Sequence, residues 1–209
     1  FLISLRNFLI FSLIYLWYKD KDILNLIKTG NLSYELCRPQ DLYFMWFSKI
    51  LGEKLSSSLL RFFPVILIAV LLPAPFNLDL SITLPRLLIF SVSFFLAIIL
   101  TVVLILLYHV ICLITLDEKG IVNILMVSSD ILSGLVLPIP FFPTLLQKIS
   151  NFLPYRYVSD FPFRLYVGNI SLTSGIKGII IQIIWIIILV VIGRLITKKA
   201  LKKAVIQGG

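Results

Sequence analysis

Residues 133–168 read SGLVLPIPFFPTLLQKISNFLPYRYVSDFPFRLYVG, and this stretch decides how the rest of the chain must be arranged. It lies between two apolar segments and is almost as apolar as they are. Yet it holds Pro138, Pro140, Pro143, Pro154 and Pro162. A proline inside a helix removes a backbone donor and collides with the preceding turn, so no single straight helix can cover the stretch. It also carries Lys148, Arg156, Asp160 and Arg164, which do not all belong in lipid. Broken backbone at membrane depth persists only where protein buries it or water reaches it. The pattern predicts two short helices, Thr144 to Phe152 and Phe161 to Val167, re-entering from one face. An amphipathic loop lying flat on the surface is the alternative.

Working outward, the composition explains why membrane depth is at issue. Hydrophobic residues make up 59% and charged residues 14% of the 209 positions, against roughly 45–50% and about 25% in soluble domains. Apolar runs near 20 residues fit helices, and no alternating strand pattern is visible. The expected fold is an all-α integral membrane protein with five visible spans, at about 1–18, 55–72, 87–116, 121–137 and 176–196. Between them lie a polar-apolar loop at 19–54 and the re-entrant region at 138–168. Trp17 and Tyr18 end the first span as interfacial aromatics do. In the loop, Ile23, Leu24 and Ile27 fall at helical spacing before Gly30, a helix stop, and Arg38-Pro39 turns the chain. Leu42, Met45, Trp46, Ile50 and Leu51 then mark a second helix in the interface, ahead of the span that holds Pro64. Phe1 opens in apolar sequence without a Met, so a further upstream span is expected.

The formal charge of +9 is a topology signal here rather than a nucleic-acid footprint. With the 19–54 loop and the tail inside, thirteen basic residues face the cytoplasm. Five, Arg86, Lys148, Arg156, Arg164 and Lys177, face out. The expected location is a bacterial cell membrane, multi-pass, with the C-terminus cytoplasmic and Lys198, Lys199, Lys202 and Lys203 against anionic lipid.

Catalytic chemistry is hard to place. No Gly-rich phosphate loop, His-Glu zinc motif or nucleophile elbow occurs, and Cys37 and Cys112 have no metal-type spacing. The ionisable residues inside the spans, Asp130, His109 and Arg6, stand on different segments. Asp130 needs explanation most. An unpaired carboxylate at mid-membrane costs roughly 2.5–3.5 kcal/mol on insertion scales, so it should meet protein or water. Ser129 and Ser133 are its sequence neighbours, and His109 and Arg6 are candidate partners by depth.

Three passages together resemble the ABC-2-type transporter permeases, in the branch described as ABC-2 family transporter protein. The loop with Ile27, Gly30, Leu32, Leu36, Arg38 and Pro39 is similar to that family's G-x-L…L-x-R-P loop. Gly134, Pro138, Pro143, Pro154 and Pro162 resemble its outer re-entrant region, and Gly208-Gly209 its terminus. The resemblance implies an ATP-binding cassette exporter's transmembrane domain with six spans, one of them upstream of Phe1. It implies a second permease subunit, forming a homodimer or related heterodimer, and separate ABC ATPase subunits. ATP and magnesium would bind those ATPases and not this chain. It further implies that Ile23, Leu24, Ile27, Gly30, Leu32, Leu36, Arg38 and Pro39 belong to a coupling loop that contacts the ATPase. Membrane lipid is the remaining expected partner, with no nucleic acid and no metal. A non-transporting membrane scaffold or immunity protein is the competing reading.

Overall fold

A computed structural model describes residues 20–29, 32–36, 39–71, 83–115, 120–134, 137 and 139–203. Among these, every regular element is helical: α1 Lys21–Thr29, α2 Leu32–Leu36, α3 Leu42–Leu71, α4 Leu84–Thr115, α5 Ile121–Leu132, α6 Thr144–Phe152, α7 Asp160–Val167 and α8 Leu172–Lys203, with 3-10 turns at Ile139–Phe141 and Pro154–Tyr157. The expected first span, Gly30, Arg38, Arg6, Pro138 and the terminal Gly208-Gly209 lie outside the described residues.

Two of these helices are long and apolar enough to cross a membrane, α4 and α8. At 1.5 Å per residue, 32 residues reach ~48 Å, against a ~30 Å hydrocarbon core. Both therefore tilt or protrude. The segment expected to span at 121–137 is a shorter helix, Ile121–Leu132, of 12 residues and ~18 Å. It stops because Gly134 takes φ +80°, a conformation that glycine reaches without steric cost. The turn expected between an interfacial helix and a span at 55–72 is absent. Leu42 to Leu71 runs as one helix of 30 residues with Pro64 inside it. Gly52 is the one strong helix-weakener between its start and Pro64, and a single internal glycine costs only about 1 kcal/mol.

α4 is the hub. Ala97, Leu100, Val102, Val103, Leu106 and Val110 are fully buried along it. It packs against α1, α3, α5, α7 and α8. Its main partner, α8, runs parallel to it. Ile89 lies by Gly175 and Ser93 bonds Gln182, so both sequences rise in the same direction. Most of α8 away from this contact is apolar and open, with Ile180, Ile187, Val191 and Leu195 more than half exposed.

The helices approach closely where α8 lacks side chains, as membrane helix contacts favour. A Cβ on Gly178 would strike the Phe161 ring of α7, and one on Gly175 would lie 2.7 Å from Leu165 of α7. Nearer the other end, one on Gly193 would lie 2.7 Å from Tyr43 of α3. Gly178→Ala should therefore overpack this seat and cost about 1–3 kcal/mol. Gly52→Ala, where a Cβ meets nothing within 4 Å, should leave stability equal or higher. Thermal unfolding of the two purified variants in detergent checks the contrast, and equal melting temperatures would refute the tight seat.

Candidate functional site

The proline-broken stretch folds into two short helices, Thr144–Phe152 and Asp160–Val167, and Pro143, Pro154 and Pro162 each occupy a place where the missing N–H does little harm. Pro143 immediately precedes α6. Pro154 opens a 3-10 turn, and Pro162 lies in the first turn of α7, where helix amides have no intrahelical acceptor in any case. At the far end Gly168, at φ +86°, closes α7. The amides of Gly168 and Asn169 donate to the carbonyls of Leu165 and Arg164 at 3.3 and 3.0 Å, a left-handed cap.

This module is bound to the hub at several levels. Phe163 and Tyr166 of α7 pack on Phe90 of α4, with centroids 6.2 and 5.2 Å apart. Phe163 also meets Phe94, and Phe152 of α6 meets Trp185 of α8 edge-on. Gln182, wholly buried, joins three elements. Its amide donates to the Ser93 carbonyl at 3.1 Å and the Tyr157 carbonyl at 2.9 Å, and its oxygen accepts from the Ser93 hydroxyl at 3.1 Å. Buried Ser159 donates to the Ser133 carbonyl at 2.9 Å, fixing the module to the end of α5. Asp160 holds the charges together, with Arg156 at 3.3 Å and Arg164 at 3.6 Å. The role of Gln182 as the fastener depends on tertiary placement, since its partners lie 89 and 25 positions away.

The second candidate region is α1–α2. α1 is strongly amphipathic, and its apolar residues are used inside this chain. Ile23 is 1%, Leu24 9% and Ile27 5% exposed, and Leu32 of α2 is also buried. Ile23, Leu24, Ile27 and Leu32 belong to the same buried cluster as residues of the hub and α3. What α1 presents outward is Lys21, Asp22, Asn25, Lys28 and Thr29. Leu36 and Pro39 remain exposed beside them.

The cap of α1 is unusual for a loop. Asp20 is 1% exposed, and its Oδ1 accepts from the amides of Asp22 and Ile23 at 2.9 and 3.2 Å. Its Oδ2 lies 2.7 Å from Lys49 Nζ of α3, and Lys49 also reaches Asp22 at 3.0 Å. The Asp20 amide donates to His109 Nε2 of α4 at 3.3 Å, while His109 Nδ1 lies 2.8 Å from the Ile105 carbonyl. Nδ1 faces an acceptor and Nε2 faces a donor, so the ring is held as the neutral Nδ1–H tautomer. Both nitrogens of His109 are thereby engaged, and it does not serve as the Asp130 partner that depth suggested. Asp130 is half-buried near the end of α5, and Tyr108 lies close to Asp130, Tyr155 and Ser129.

With this geometry in place, comparison with known proteins is decisive for the family. The model of the ABC-2 family transporter proteins matches residues 2–208, all but the first and last residue. The chain belongs to that family. It is a membrane-embedded transport component of permease type. No curated protein and no solved structure matches it.

In this ABC-2 family protein a second capping carboxylate repeats the pattern of the first. Asp41 Oδ1 accepts from the Phe44 amide at 3.1 Å at the start of α3, and Oδ2 lies 2.8 Å from Arg194 Nη2 of α8. Partial burial pushes the Asp41 carboxyl up. The Arg194 hydrogen bond, the Phe44 amide and the Arg194 charge outweigh it and hold the group below the ordinary 3.8. A carboxyl lowered on folding adds stability above its unfolded value, and that stability is lost as pH falls through the folded one. The pair is half-exposed, so its worth is about 0.2–1 kcal/mol. Asp41→Asn, which keeps the cap, should melt slightly below the wild type at pH 7, and the gap should close below pH 4. A gap that persists unchanged at pH 3 would refute the ion-pair assignment.

Proposed function

We propose that this chain is the transmembrane permease subunit of an ATP-driven exporter. It would line the substrate pathway with a second permease subunit and be moved by separate ABC ATPase subunits that bind ATP and magnesium. The observation that carries the reading is the disposition of α1: a short helix whose apolar face is fastened to the hub and whose polar face is open. That is how a docking helix has to be built if force on its outer side is to reach the spans. Family membership supports the same division of labour. On this reading α1, α2 and the exposed residues Leu36 and Pro39 face the cytoplasm with the C-terminus, and α6–α7 form a re-entrant hairpin on the outer side. Lys21→Glu with Asn25→Glu should reduce vanadate-sensitive ATPase activity co-purifying with the tagged chain at least tenfold, without lowering its melting temperature. Leu24→Asp should instead destabilise the chain itself. Undiminished co-purification in the double variant would refute α1 as the dock, and a wild type that carries no ATPase would favour a scaffold.

The hairpin reading has its own test. Single cysteines at Leu146 and Phe163, on α6 and α7, should react with a membrane-impermeant thiol reagent applied outside at least tenfold more slowly than one at exposed Asn169. Equal, fast labelling at all three would mean a solvated surface loop.

A further inference from the structure

The Asp20 cluster does more than terminate a helix. The side chain caps the first turn of α1, the carboxylate holds α3 through Lys49 at 2.7 Å, and the backbone amide holds α4 through His109 at 3.3 Å. Asp20 and His109 are 1% and 4% exposed. Three helices thus meet at one buried residue through polar contacts with defined directions, whereas the apolar contacts around it are non-directional. His109 is bound in turn to the Ile105 carbonyl of its own helix, so a shift of Asp20 cannot be absorbed by rotation of the ring. α4 continues without a break from His109 to Ser93, Phe94 and Phe90. Those residues hold the Tyr157 turn, through Gln182, and α7.

We propose that Asp20 and His109 are positioning residues that form a transmission joint: displacement of α1 is passed through the Asp20–His109 bond to α4 and along that helix to the hairpin at 154–167. The inference rests on the reading of α1 as the ATPase dock. It assigns the step after docking, which neither the family model nor the resemblance specifies for these residues. Lys49, at the half-exposed rim, keeps the joint from opening sideways by pairing with Asp20 and Asp22 together.

The test uses the full chain, tagged and purified from its native membranes with whatever vanadate-sensitive ATPase accompanies it. Amide hydrogen exchange in 154–167 is compared without nucleotide and with Mg·ATP plus vanadate. The wild type should show a nucleotide-dependent change there. His109→Leu fills the ring's space without an acceptor. It should retain co-purifying ATP hydrolysis within about twofold while the exchange response falls at least fivefold. His109→Gln, whose amide oxygen can accept from the Asp20 amide, should restore most of the response. A merely structural role would not separate hydrolysis from the hairpin response in this way. If His109→Leu does not assemble, Lys49→Gln should show at least a twofold loss of response in an assembled complex. A full response in assembled His109→Leu or Lys49→Gln overturns the joint, as does a wild type that hydrolyses ATP with no change at 154–167. A wild type with no associated ATPase overturns the docking reading itself, and the joint falls with it.

Discussion

A backbone interrupted by prolines inside a bilayer has to find its hydrogen-bond partners in protein, since lipid offers none. In this chain the proline-broken stretch at 139–168 draws its polar partners from α4, α5 and α8. Gln182 meets the buried carbonyls of Tyr157 and Ser93, Ser159 meets Ser133, and Gly168 lets α7 close on itself. Interhelical hydrogen bonds of this kind average about 0.6 kcal/mol and reach about 1.7. None is a large stabiliser alone. Their effect is to select one seating of the hairpin among many apolar ones. Gly175 and Gly178 complete the selection by shape, because only at those positions can Leu165 and Phe161 lie against the backbone of α8.

At the opposite end of α4 the same problem is solved with charge. Asp20 and Asp41 each accept backbone amides at the start of a helix and each hold a cation from another helix. A carboxylate at a helix N-terminus interacts favourably with the helix dipole as well as with its cation, so each one ties local helix initiation to tertiary contact. The two differ in burial. Asp20 is enclosed, while Asp41 and Arg194 are half-exposed. A pair with one carboxylate buried is costlier to break and less screened than one exposed on both sides. The open pair is weak enough to part and re-form.

Much of this was legible in the sequence for identifiable reasons. Prolines have fixed chemistry, so α6 and α7 were readable nearly to the residue. Long apolar runs, 87–116 and 176–196, are unambiguous, so α4 and α8 were readable as well. The amphipathic periodicity of Ile23, Leu24 and Ile27 also gave α1 correctly. What periodicity cannot say is whether an apolar face is buried by its own chain or by another. The same three residues fit both, and the structure places them inside. The continuity of α3 was missed because polar residues such as Lys49, Glu53 and Lys54 read as an interfacial segment distinct from a span, although nothing among them breaks a helix. Gln182, Ser93 and Tyr157 could not be assembled from sequence at all, since their contacts span 89 and 25 positions.

His109 and Asp130 show how depth along a helix can mislead. Both were expected at similar heights above one surface, and a shared height suggested a shared bond. Rotation about the helix axis decides otherwise. Adjacent residues on a helix point about 100° apart, so Tyr108 and His109 look to different neighbours. Tyr108 lies close to Ser129, Tyr155 and Asp130, beside the turn that joins α6 to α7. His109 faces Asp20 and the capped start of α1. One turn of α4 therefore carries two polar contacts to two different parts of the molecule. A rotation of α4 by a few tens of degrees would disturb both together, whereas a translation along its axis would carry both with it. Tyr108 and His109 thus bring neighbours from the 154–157 turn and from the start of α1 to one turn of the hub.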